Sequence, residues 1–169
     1  PAKQLDTDKQ LTSDTDQTVE SARFLLPFQD FQDQWNAVSR EQGSDLQIAT
    51  LEMINSEDGP YYQCLFDRHL ELLVFTENQT VQRIQMINKS SSNTDLLDML
   101  TGWSHIVMMF NPDIQYHQID QLFLDLGVGP NLDLNDVKEK KVVFSDVEYT
   151  VKPIKSGFLF QAAYPDNEL

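Results

Sequence analysis

Apolar residues fall in two rhythms along this chain, and the switches between them mark its elements. Phe31, Trp35 and Val38 recur at helical spacing and predict a helix over residues 28–42. Pro27 suits its first turn and Gly43 its end. A stronger helix is predicted over residues 95–110. There Leu96, Leu100, Trp103, Val107 and Phe110 repeat at four and three residues, and Leu97 and Ile106 widen the stripe. Asn93 or Thr94 can cap it. Asn111-Pro112-Asp113 breaks the pattern. A further helix follows over residues 114–126, with Tyr116, Ile119, Leu122 and Phe123 as its buried side and Gly127 as its stop.

Between and after these helices the period drops to two. Strands are predicted over residues 46–54, 61–66, 70–77 and 80–87, joined by turns at 55–60, 67–69 and 77–79. Leu70-Glu71-Leu72-Leu73-Val74-Phe75-Thr76 carries apolar residues on both faces. That is the mark of a central strand covered on two sides, or on one side plus an interface. Strands over 141–144, 147–154 and 158–164 complete the pattern. In the middle one Val147, Tyr149 and Val151 point inward and Glu148, Thr150 and Lys152 outward. The order α-ββββ-αα-βββ predicts an α+β fold, an antiparallel sheet covered by helices. A helix followed by a meander occurs twice, which suggests a degenerate duplication in layout though not in residues.

The first twenty-three residues follow neither rhythm. Residues 1–23 hold no aromatic side chain, and Gln, Asp, Thr and Ser dominate residues 4–17 before Phe24 opens the core material. The chain therefore divides into a flexible polar tether, 1–23, and one domain, 24–169. In composition the tether resembles the spacer that follows the anchoring cysteine of bacterial lipoproteins. The arrangement of helices on antiparallel strands is similar to small secreted bacterial inhibitor and lipoprotein domains. These resemblances imply a periplasmic or outer-membrane-anchored location, with a lipid anchor upstream of Pro1; the cytoplasm is the alternative. Without a starting Met or a signal peptide, the sequence reads as a trimmed or mature form.

Charge narrows the partners. Twenty-seven acidic residues against twelve Lys and Arg leave a net charge of −15 at pH 7. Nucleic acid needs Lys and Arg to displace its counterions, and no basic run here exceeds Lys140-Lys141. Anionic membranes are disfavoured for the same reason. A protein partner of basic character would gain from long-range steering. No stretch approaches the ~20 consecutive apolar residues of a spanning helix.

The residue types of catalysis are present without their patterns. Cys64 is the only cysteine; it alternates onto the same side as Tyr62 and Phe66 and reads as an inert core thiol. His117 can share a helix side with Asp113 and Asp120, but a zinc site wants a ligand from a second element, so no metal is expected. His105 lies off the apolar stripe and is expected at the core boundary with a hydrogen-bond partner. The acid pairs Asp30/Asp33 and Asp95/Asp98 read as solvated, dipole-favoured helix starts. No Gly-x-Ser-x-Gly elbow and no glycine-rich phosphate loop occurs, and no cofactor is expected.

The resulting expectation is a non-catalytic protein-binding module of the bacterial envelope, tethered, that docks or neutralises another protein in the manner of an inhibitor or immunity protein. Its candidate binding residues are Tyr61 and Tyr164, as exposed loop aromatics, and Asp67 and His69, in a predicted turn. The alternatives are a cytosolic acidic chaperone for a secreted protein and a carrier of a small apolar ligand held between helices and sheet.

Overall fold

A computed structural model describes residues 25–128 and 134–165. The boundary placed between residues 23 and 24 lies outside the described residues, as does the predicted loop at Gly129-Pro130. Among the described residues the order is α1 (Phe31–Glu41), β1 (Glu52–Ser56), β2 (Gly59–Asp67), β3 (Leu70–Glu77), β4 (Thr80–Asn88), α2 (Asn93–Phe110), α3 (Tyr116–Asp125), β5 (Lys140–Phe144), β6 (Val147–Ile154) and β7 (Gly157–Ala163). This is the α+β order expected.

All seven strands join one antiparallel sheet in the order β1-β2-β3-β4-β7-β6-β5. Two meanders thus meet last strand to last strand, β4 against β7. The turns joining β3 to β4 and β5 to β6 have two residues each, Asn78-Gln79 and Ser145-Asp146, all at positive φ. That geometry matches the twist of the flanking strands and fixes their register.

Register gathers apolar side chains of five strands on one face. Cys64, Leu72, Met86, Phe160 and Val151 are neighbours across the sheet, and so are Tyr62, Val74, Ile84, Ala162 and Tyr149. These side chains share one core with Trp35 of α1, with Trp103, Ile106 and Val107 of α2, and with Ile119 and Leu122 of α3. Trp103 stacks on Phe160 with ring centroids 4.9 Å apart, and Trp35 stacks on Phe66 at 5.8 Å. Burial of aromatic area of this kind is the largest favourable contribution such a layer can make.

The opposite face follows a different composition. Its central row is Gln63, Leu73, Gln85, Gln161 and Thr150, with the Gln85 side-chain amide donating to Gln161 at 2.7 Å. Beside it the Arg83 guanidinium lies 4.0 Å over the Phe75 ring, which also meets Tyr61 at 5.2 Å. No helix among the described residues packs on this face. Among the described residues β3 is therefore covered by helices on one side, although Leu73 on the other is also buried.

Several local expectations are corrected. α1 starts at Phe31; Pro27 instead bridges Thr80 at the edge of the β3–β4 turn. The predicted strand over residues 46–54 is a strand only from Glu52. Ser92, ahead of Asn93 and Thr94, is the N-cap of α2, its hydroxyl accepting from the Asp95 amide at 3.2 Å. Tyr116 is 67% exposed and does not join the buried side of α3. His105 is fully buried, and neither ring nitrogen has a hydrogen-bond partner among the described residues.

Candidate functional site

The shortened first strand creates the most distinctive concavity of the molecule. Residues 44–49 carry the alternation of a strand, but α1 captures their polar groups before β2 can. Trp35 Nε1 donates to the Leu46 carbonyl at 2.8 Å. Asn36 donates to the Ile48 carbonyl at 3.0 Å and accepts from the Ile48 amide at 2.7 Å, and Gln32 donates to the carbonyls of Ile48 and Ala49. With Leu46 and Ile48 drawn into the core, the segment is held away from the sheet until Glu52.

β2 meanwhile runs on to Asp67. A notch of about 770 Å³ is left between residues 45–50, the far end of β2 and the first turns of α2. Asp45, Glu52, Asp67 and Asp98 line it together with His69, and among the described residues no Lys or Arg does. Cys64, Leu65 and Leu70 supply apolar surface.

His69 is locked at the rim. Its Nε2 lies 2.8 Å from the Asp95 carboxylate, its Nδ1 lies 3.8 Å from Asp67 Oδ1, and its carbonyl accepts from the Lys89 amide at 2.8 Å. The Asp95 carboxyl is held below its ordinary value, chiefly by the hydroxyls of Ser90 and Ser92 and then by His69. Ser90 Oγ donates to it at 2.5 Å. Asp98 behaves in the opposite way. Partial loss of water contact raises its pKa, and repulsion from Asp95, Asp45 and Asp67 adds to the rise. Excess negative charge is thus concentrated in this concavity, opposed in its described lining by His69.

Burial pushes the Cys64 thiol up to about 11, so it stays protonated near neutral pH. Among the described residues no three His, Cys, Asp or Glu side chains converge as a metal-binding group. His117, Asp113 and Asp120 are exposed around α3.

Of the four candidate binding residues the structure brings two together, Asp67 and His69. Tyr61 lies on the helix-free face of the sheet, away from the notch side of β2. Tyr164, expected as an exposed anchor, is a core residue. Its hydroxyl accepts from the Leu26 amide at 2.7 Å, and its ring meets Phe110 edge-on at 5.2 Å. The apolar surroundings that follow from the strand pairing of β4 and β7 explain its burial. Asp45 and Glu52 were not singled out by sequence pattern, and Asp98 was read only as a solvated helix start paired with Asp95. Each sits on a different element, so only the fold brings them together.

A second concavity, about 750 Å³, lies between α1, the end of α2 and the start of α3. It is lined by Val38, Met108, Met109, Ile114 and Tyr116, and is predominantly apolar. No protein-family model, no curated protein and no solved structure matches this chain.

Proposed function

We propose that this chain is a non-catalytic protein-binding module of the bacterial cell envelope that docks or neutralises a partner by receiving its basic side chains in the acidic notch. The observation that carries this reading is the convergence of Asp45, Glu52, Asp67 and Asp98 on one concavity to whose lining no Lys or Arg among the described residues contributes. A lysine or arginine inserted there relieves repulsion already present among the carboxylates, so binding gains both attraction and release of strain.

The binding test is calorimetric titration with an arginine-rich peptide at low and physiological salt. Saturable binding by the parent chain that is lost in the Asp45→Asn/Asp98→Asn double variant supports the reading; equal binding by both chains counts against it. The envelope location rests on the polar composition of residues 1–23. The codons upstream of Pro1 test it: a hydrophobic signal segment ending in a cysteine supports a lipid-anchored tether, and a plain cytosolic start favours an intracellular acidic chaperone.

The apolar, Met-lined concavity beside α1 favours a second reading, a carrier of a small apolar ligand. Saturable uptake of a fluorescent fatty acid, displaced by bulky substitution of Met108, would support it.

A further inference from the structure

We propose that the notch receives a strand: an extended basic segment of a partner protein lies along residues 64–67 of β2, in line with β1. This rests on the acidic-docking reading and adds to it the conformation of what docks.

The first ground is the unfinished edge of the sheet. β1 pairs with β2 only from Glu52↔Gln63 to Ser56↔Gly59. β2 continues for four more residues, three of which pair with β3 on their other side through Cys64↔Leu72, Leu65↔Glu71 and Asp67↔Leu70, with the register shifting at Phe66. Among the described residues no strand occupies the β1 side of this stretch. Successive residues of a strand direct their N–H and C=O groups alternately to the two sides, so part of this backbone faces the notch with bonding capacity to offer.

The second ground is how differently the sheet's edges are guarded. Native edges are blunted by lysines, prolines, covering segments or bulges on the open side. β5, the far edge, begins with Lys140-Lys141. Residues 64–67 carry no lysine or proline; their irregularity is a register shift between Leu65 and Asp67, and Leu65 is 63% exposed there. The segment that would ordinarily cover this stretch is the one α1 holds back through Trp35 and Asn36.

The third ground selects the occupant. Asp45 and Asp98 approach from the helix side of the sheet, whereas Leu65 and its neighbour Glu71 lie on the opposite face. Side chains of an added strand alternate between those two faces. One set would therefore be arginine or lysine, meeting Asp45 and Asp98, and the alternate set apolar, meeting Leu65. A stretch of about four residues spans ~13 Å, in keeping with the length of β2 left unpaired.

The probe is a capped six-residue peptide alternating arginine and valine. Its control is the same peptide N-methylated at alternate residues on the edge that would face β2, which keeps charge and side chains but removes backbone donors. Strand addition predicts that the parent chain binds the first peptide about tenfold or more tightly than the second, the difference expected from losing about two hydrogen bonds. It also predicts slowed amide exchange within residues 64–67 on binding. Circular dichroism confirms that the Asp45→Asn/Asp98→Asn variant is folded before it is compared.

If both peptides bind equally and the double variant loses both, the acidic docking reading stands and strand addition is wrong. If neither peptide binds the parent chain, both are wrong. If the chain self-associates and the peptide does not compete, the notch belongs to a second copy and a basic partner strand is overturned.

Discussion

His105 stands edge-on to Trp35, ring centroids 5.4 Å apart, at the contact between α1 and α2, with both imidazole nitrogens buried and unpartnered among the described residues. An imidazolium there would be shut off from solvent with no acceptor among the described residues, and burial lowers the pKa from 6.5 to about 4.

Between those two values the unfolded chain binds a proton that the folded chain refuses. Stability contributed at this position is fully present above about pH 6.5 and is lost as pH falls toward 4, by roughly 3 kcal/mol in all. Chemical denaturation at a series of pH values measures it. In His105→Leu that part of the pH dependence disappears; an unchanged slope between pH 4 and 6.5 would assign it to other groups.

Asn111 ties the end of α2 to the sheet. Its side-chain amide donates to the Tyr149 hydroxyl at 2.7 Å and to the Val107 carbonyl at 2.9 Å. Tyr149 is fully buried, and burial raises its pKa still further from neutrality. Asn111→Ala should cost about 1–3 kcal/mol by orphaning that hydroxyl. Adding Tyr149→Phe should recover part of the loss. A double-mutant cycle with no coupling energy would show that the contact contributes nothing.

Two glycines should respond differently to alanine. A Cβ at Gly157 would collide with the Asn88 carbonyl in the β4–β7 pairing, where main chain meets main chain. At Gly102 the obstacle is the end of the Met86 side chain, which can turn aside, and alanine also favours the helix. Thermal unfolding of Gly157→Ala should show a loss of more than about 2 kcal/mol, and of Gly102→Ala distinctly less. Equal losses would contradict the contrast.

The acidic notch is a cost to the fold. Since burial and its neighbours raise the Asp98 pKa, the folded state disfavours this carboxylate, and that penalty sets in as pH rises through the carboxyl range. Asp98→Asn should therefore raise the melting temperature slightly at pH 7, more at low salt than at high, while weakening capture of an arginine-rich peptide. A lowered melting temperature at low salt would refute the repulsion.

Sequence by itself determined what depends on neighbours a few residues apart. The three helical stripes, the period-two runs and the breaks at Asn111-Pro112 and Ser145-Asp146 are local, and the element order follows from them. Valine, tyrosine and threonine alternating through Val147–Ile154 could only bury one face as a strand. His69 and Asp67 were legible as a polar turn for the same local reason.

Tertiary structure decided everything that depends on which elements meet. Residues 46–51 alternate like a strand, yet their carbonyls went to Trp35, Asn36 and Gln32 of a helix more than ten residues away, and β1 shrank to Glu52–Ser56. Nothing in the local pattern distinguishes a backbone group destined for a strand from one destined for a side chain. Tyr164 and His105 were placed inside by the packing of distant elements around them. The notch arises the same way. Asp45, Glu52, Asp67 and Asp98 are unremarkable acids along the chain, and they become one site only because α1 holds a segment back while β2 runs on.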